Sequence, residues 1–252
     1  MKKSAQFVVF LRFRRVVKVF SISLPFKTST INIMTLEEAM RARHMVRRYT
    51  EKPMPEDVVA QLNQRIEENN QAHHLAIRLM LNDTNAYQGI VKLLLAKGVR
   101  NYFIMAGDDA PDLGERLGYS GADLMLFAQT LGLNTWWASG TFSRKNTTAA
   151  VGDKKVLGVV AVGYGATQGV QHKLKSASEV SAYEGTAPQW FTNGVDAALL
   201  APTALNKLAF FVQGKADEVK LTYKEGTFSG VDKGLVKYHF ELGAGKGNFR
   251  WV

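Results

Sequence analysis

Val156-Leu157-Gly158-Val159-Val160-Ala161-Val162 is a run of strand length with no polar face. A strand half open to water alternates apolar and polar residues. An unbroken apolar run is the pattern of a central strand buried on both faces. Such a strand needs neighbours on both edges and packing layers above and below. At 252 residues the chain is long enough for one large or two small domains with a proper core.

Other signals surround this strand. Thr35-Leu36-Glu37-Glu38 is a capping box and predicts a helix through Ala39 and Met40. Pro53 and Pro55 break the chain, and Pro55 with Glu56 and Asp57 opens a second helix. That helix carries Val58, Val59, Leu62 and Ile66 on one stripe. Leu75, Ile77, Leu79 and Leu81 alternate as a half-buried strand. A helix is predicted near Ile90–Ala96 and a strand over Val99–Ala106. Ser120–Leu131 reads as a strongly apolar helix closed by Gly132, leading into Thr135-Trp136-Trp137-Ala138-Ser139-Gly140. Beyond Gly163-Tyr164-Gly165 a polar, basic loop runs from Thr167 to Lys175. The last quarter predicts a helix near Asn193, strands over Phe210–Gln213 and Val219–Tyr223, and a helix over Asp232–Leu242. A glycine-rich tail, Gly243–Gly247, follows.

That last quarter echoes an earlier part. Val195–Val212 can be laid on Val58–Leu75, and Leu235 through Gly243 on Leu124 through Gly132. Both blocks read helix, strand, then a buried helix ending Leu-Gly. Duplicated halves, 34–165 and 190–252, are one explanation. Two similarly patterned helix–strand–helix units of one sheet are the other.

The net charge of +10 is unevenly placed. Residues 1–33 hold seven Lys/Arg and no Asp/Glu, so residues 34–252 contribute only +3. Residues 1–33 are expected to be a disordered basic leader or a mis-called start, with Met34 opening the folded domain 34–252. An acid-free leader with Arg and Ser also has the composition of a transit peptide. No uninterrupted apolar run reaches the length of a membrane span. A nucleic-acid role has support only from this leader, and removing residues 1–33 would then abolish binding. The chain has no cysteine, which excludes disulfides, thiolate metal sites and a cysteine nucleophile, and suits a reducing compartment such as the cytoplasm.

Several motifs fail on spacing. Gly163-Tyr164-Gly165-Ala166-Thr167-Gln168-Gly169 has its third glycine one place late for a dinucleotide fold. Gly243-Ala244-Gly245-Lys246-Gly247 lacks the Ser/Thr of a phosphate loop. Gly118-Tyr119-Ser120-Gly121 lacks the glycine spacing of a nucleophile elbow. His73 and His74 are adjacent, point apart on a strand and have no carboxylate spaced with them as a metal set.

Arg43-His44-Met45-Val46-Arg47-Arg48-Tyr49 places three arginines and a histidine within six residues after the first helix. Arginine suits a phosphate or planar polar ligand because its donors form a fixed fork. Taken alone, the stretch also reads as a solvated basic helix end. With Pro53 it resembles the N-terminal signature of the FMN-dependent nitroreductase family, whose corresponding segment binds the flavin mononucleotide. Leu131-Gly132-Leu133-Asn134-Thr135-Trp136-Trp137 is similar to the family's helix end leading to the loop beside the isoalloxazine. Gly163-Tyr164-Gly165 with His172-Lys173-Leu174-Lys175 resembles its late strand and basic phosphate loop. Ala201-Pro202-Thr203-Ala204-Leu205-Asn206-Lys207 resembles its Ala-Pro-Ser-x-x-Asn motif.

The resemblance implies an α+β nitroreductase-like fold, a central mixed or antiparallel sheet flanked by helices, with a possible internal pseudo-two-fold. It implies FMN as cofactor and NADH or NADPH as electron donor. A nitroaromatic, quinone or similar small molecule would be the acceptor, and neither nucleic acid nor membrane a partner. Arg43, Lys173 and Lys175 are expected at the phosphate, and His44 and Arg47 at the phosphate, ribityl or pyrimidine edge. Met45 stands where the family has serine, which leaves only a backbone contact. Pro202, Thr203 and Asn206 are expected on the opposite side of the flavin. Ser139 and Gly140 would offer backbone N–H near N5 and O4, where negative charge develops on reduction. The flavin carries the redox step, so no catalytic side chain and no metal is implied.

Two departures matter. The asparagine block lies near the C-terminus, its early position being taken by Glu67-Glu68-Asn69-Asn70-Gln71. This resembles the layout of the subgroup with the asparagine motif near the C-terminus, which implies that one chain supplies both jaws of a single flavin site as a monomeric pseudo-dimer; a homodimer is the alternative. The family's Gln-Pro-Trp continuation is Leu208-Ala209-Phe210 here. That change favours, as a rival reading, a flavin-binding or interaction protein with little turnover.

Overall fold

Two helices cross on glycine at the centre of the molecule. The computed structural model describes residues 34–87, 94 and 96–252; the leader 1–33 and most of the helix expected at Ile90–Ala96 lie outside them. Helix α3 (Leu113–Thr130) meets helix α7 (Ser229–Ala244) where a Cβ on Gly114 would stand 3.2 Å from the Gly230 Cα. A Cβ on Gly118 would strike the Val231 carbonyl, and one on Gly234 the Glu115 carbonyl. A single shift along the sequence sets Gly114 on Gly230, Glu115 on Val231 and Gly118 on Gly234, so the two close approaches exchange. The same shift lays strand β2 (Tyr102–Gly107) on strand β7 (Glu218–Tyr223).

The sequence echo paired α3 with α7 in another register and did not include β2 or β7. It was carried by two Leu-Gly pairs that are not equivalent. Gly132 follows α3 in the left-handed region (φ +76°), whereas Gly243 lies inside α7 and packs its open side on Asn193 and Ala197. Gly114 and Gly118 also explain why the sequence suggested a start near Ser120, whereas α3 begins at Leu113. Glycine is a poor helix former, yet a close helix crossing requires it.

The strands form two four-stranded sheets. The first is antiparallel throughout and contains β1 (Arg78–Met80), β2, β3 (Asn134–Ala138) and β4 (Lys155–Gly163), in the order β1-β2-β4-β3. The apolar run therefore lies between two neighbours, as expected. Phe103 pairs with Val160 and Trp136 with Ala161. Phe103, Met105, Val160 and Val162 face the main core with α3 and α7. Tyr102, Ile104, Val159 and Ala161 face a second core of Tyr49, Tyr87 and Trp136. The second sheet is mixed: β5 (Ser181–Tyr183) and β6 (Phe210–Lys215) are parallel, β6 and β7 antiparallel, β7 and β8 (Arg250–Trp251) parallel.

The capping box of α1 (Leu36–Ala42) is present in full: Thr35 Oγ1 accepts from Glu38 N, and Glu38 accepts from Thr35 N. Helix α2 (Glu56–His73) follows Pro55 and buries Leu62 and Ile66. Leu75 makes only an isolated bridge, to Gly107, so β1 is shorter than the apolar alternation suggested. His73 and His74 are not on a strand. His73 ends α2 and His74 adopts φ +50° as its cap, with both carbonyls accepting from Arg116. Helices α4 (Arg144–Val151), α5 (Ala177–Val180) and α6 (Gln189–Ala198) lie between α3 and α7 in the sequence. No helix among the described residues is long and apolar enough to cross a membrane.

Candidate functional site

Arg43 is the C-cap of α1, its N–H donating to Ala39 O, and the chain then turns into an extended segment beside β3. Met45 bridges Thr135, and Val46 N donates to Thr135 O at 3.3 Å. The loop after β4 folds back over this segment: Ala166 N donates to Arg48 O, and Gly165 N to Asn134 Oδ1 at 2.9 Å. Gly169 (φ +71°) lets the backbone approach Met45 O and the His44 Cβ more closely than a side chain would allow. Segments 43–46 and 165–172, distant in sequence, are thus laid together.

The asparagine block closes on the same loop. Asn206 Nδ2 donates to Lys173 O at 2.8 Å, and Lys175 Nζ donates to Leu208 O at 2.8 Å. His172 Nε2 bonds Leu199 O at 3.0 Å. Thr203 is buried and its hydroxyl accepts from Leu208 N. The block is tied to α7 through Asp232, whose two oxygens accept from Ala204 N and Tyr223 OH, each at 2.9 Å. Burial raises the Asp232 carboxyl pKa against these bonds. Leu205, Asn206 and Leu208 all have positive φ, a strained run for non-glycine residues. Pro202 is half-buried beside Thr203.

What these pieces enclose is cationic. Arg43 is 6% exposed, and among the described residues its guanidinium makes no hydrogen bond or ion pair. Burial lowers its pKa to about 10, so it stays charged at neutral pH. Tyr49, the phenol acting on it, is itself buried and held protonated. His44 and His239 of α7 lie within electrostatic reach of Arg43 and of His172. Burial first, then those two groups, lower the pKa of both. His239 belongs to no motif in the sequence.

The remaining expected residues sit apart. Arg47 is drawn to the second core, its guanidinium 5.1 Å from the Trp136 ring, which stacks on Tyr87. Ser139 Oγ accepts from Trp137 Nε1 at 2.7 Å. A Cβ on Gly140 would stand 3.7 Å from the ring of Phe228, which lies at the start of α7. Phe228 and His239 are about 16 Å apart along the helix axis. Ser139 and Gly140 therefore lie towards the opposite end of α7 from the cationic cluster.

Two clefts, of 600 and 270 Å³, lie elsewhere and share His73, Tyr119 and Lys246. Their charges are already paired: Arg65 with Asp123 at 2.6 Å, Lys237 with Glu115 at 2.9 Å, Lys246 with Glu241 at 3.2 Å. Among the described residues Arg43 has no such partner, which makes its surroundings the better candidate.

The family model described as "Putative TM nitroreductase" matches residues 35–244, and the chain belongs to this nitroreductase family. A Thermotoga maritima protein described as a "putative nitroreductase" is 20% identical over 85% of each chain, with a TM-score of 0.63, which shows a shared fold. A Desulfovibrio desulfuricans protein so described, solved with FMN, is 16% identical over 61% of this chain and 98% of its own, TM-score 0.46. An FMN-dependent nitroreductase of Clostridium difficile is 11% identical over 56% of this chain and 92% of its own, TM-score 0.42. No curated protein matches the sequence.

Proposed function

We propose that this protein is an FMN-dependent oxidoreductase passing hydride from NADH or NADPH to a nitroaromatic, quinone or similar acceptor. One flavin is held per chain, between the 43–45 segment, the 172–175 loop and the 202–208 block. The observation that carries this reading is Arg43, a buried cation without a counter-anion among the described residues. An unpaired buried charge is costly, and a bound phosphate would offset that cost with charge-assisted hydrogen bonds.

The residues present fit such a ligand. Arg43 binds the phosphate, and His44, kept neutral by burial and by Arg43, offers a ring N–H beside it. Lys175 and Asn206 brace the loop against the asparagine block through backbone carbonyls. Met45, Val170, Leu174 and Leu205 are large apolar residues exposed around these contacts. They flank the phosphate end of the site and the ribityl chain leading from it. A long ligand lying along α7 would bring its far end towards Ser139 and Gly140, whose backbone N–H groups suit developing negative charge. FMN, when bound, supplies the two-electron chemistry, so the chain needs no acid–base pair of its own. Family membership supports the reading.

The purified protein should carry a flavin absorption spectrum or acquire one with FMN, at one flavin per chain. Anaerobic bleaching by NADH or NADPH, reversed by a quinone, separates an enzyme from a flavin binder with little turnover. A colourless protein that FMN neither binds nor stabilises ends the proposal.

A further inference from the structure

We infer that His239 reads the flavin chemically: its Nε2 accepts a hydrogen bond from a ribityl hydroxyl of the cofactor whose phosphate Arg43 binds. This rests on the flavin reading above.

His239 is 1% exposed on α7, with Leu235, Val236 and Phe240 buried around it. Its Nδ1 lies 2.7 Å from Leu235 O. A carbonyl only accepts, so Nδ1 carries the proton and Nε2 is left as a lone-pair acceptor. Nε2 is buried and has no hydrogen-bond partner among the described residues. Burial, with Arg43 and His172 nearby, pushes the imidazole down to about 3, so the ring stays neutral at any working pH. A buried unpaired acceptor is unfavourable, and a leucine would fill the place without that cost.

Among the described residues, the Arg43 guanidinium has no acceptor and His239 Nε2 no donor. Arg43 has only N–H groups to offer, and His239 Nε2 only a lone pair. One ligand satisfies both if it carries an anion and, a few atoms away, a neutral O–H. A phosphate ester on a polyhydroxyl chain has that pattern. Phosphate oxygens would turn towards Arg43 and be repelled by the imidazole lone pair, which leaves the adjacent hydroxyl for His239. The flavin ring lies at the other end of the cofactor and is out of reach.

The test compares FMN, riboflavin and lumiflavin, which lacks the ribityl chain, on the full-length protein by fluorescence quenching. His239→Met removes the acceptor, and His239→Gln returns one near the place of Nε2. Expected is a common, roughly tenfold loss of FMN and riboflavin affinity in the Met variant, with lumiflavin unchanged and Gln restoring much of the loss. Unchanged FMN and riboflavin affinity overturns the inference. So does an equal loss for lumiflavin, which means packing, or a loss for FMN alone, which means a phosphate O–H. If the Met variant does not fold, the nitrogen resonance of His239 Nε2 in the wild type decides. It should move on adding riboflavin and not on adding inorganic phosphate, and a resonance that riboflavin leaves in place overturns the inference. A wild type that binds none of the three flavins sinks the functional reading itself, whereas normal flavin binding by a folded His239→Met sinks only the role of His239.

Discussion

Gly118 of α3 rests directly on the carbonyl of Val231 in α7, and Gly234 of α7 rests in the same way on the carbonyl of Glu115. A methyl group at either glycine meets backbone, which cannot rotate away. Gly118→Ala and Gly234→Ala should therefore each lose about 1–3 kcal/mol, despite alanine's better helix propensity. For a chain of this size that is a fall of about 2–4 °C in Tm per kcal/mol. Gly247→Ala, where nothing lies within 4 Å of the new methyl, serves as the neutral control. Thermal unfolding of the three variants measures this, and equal melting temperatures would refute the close crossing.

The same glycines mark where the sequence was hard to read. The buried strand over Val156–Val162 and the capped helix at Thr35 were legible because burial and capping leave local patterns. Strands β5 and β8 left none. Each has two or three residues and exists because a neighbouring strand offers an edge. The site divides likewise. Arg43, His44, Lys173, Lys175, Thr203 and Asn206 were named from motifs, and the fold brings their segments together. His239 and Asp232 were missed because they come from a helix read only as buried structure. The diversion of Arg47 onto Trp136 depends on which face of β3 a side chain meets, which no spacing reveals.

Leu205 is 85% exposed with φ +54°, so it holds a strained backbone without burying its side chain. Asparagine tolerates that conformation far better than leucine. Leu205→Asn should raise stability by about 0.5–1 kcal/mol while weakening FMN binding, because an apolar side chain flanking the site is lost. Differential scanning fluorimetry with and without FMN reads both effects. A variant that binds FMN as tightly as the wild type would show that Leu205 is not part of the site.

His239 also sets a pH dependence. Its folded-state pKa, about 3, lies below the unfolded value near 6.5. Between those values the unfolded chain binds the extra proton, so stability falls as pH drops from about 6.5 towards 3. The slope from this one group is at most about 1.4 kcal/mol per pH unit. His239→Gln removes the titration. Urea unfolding at pH 7 and pH 4.5 should show a smaller loss on acidification in the variant than in the wild type, whatever its stability at pH 7. Identical losses would mean that His239 is already free to protonate in the folded state.

Arg43→Met separates binding from folding. The flavin-free protein keeps a charge in the interior without a partner among the described residues, and methionine has a similar length without the charge. Replacing an ill-compensated buried charge by an apolar side chain is often stabilising, here by about 2 kcal/mol. The same change removes a charge-assisted contact to the phosphate, so FMN should bind about ten- to a hundredfold more weakly. Riboflavin, lacking the phosphate, should lose less. The expected signature is a higher Tm without flavin and a smaller rise when FMN is added. A lower Tm in the flavin-free variant would instead mean that the guanidinium already has a counter-charge in the protein, and an unchanged FMN affinity would remove Arg43 from the site.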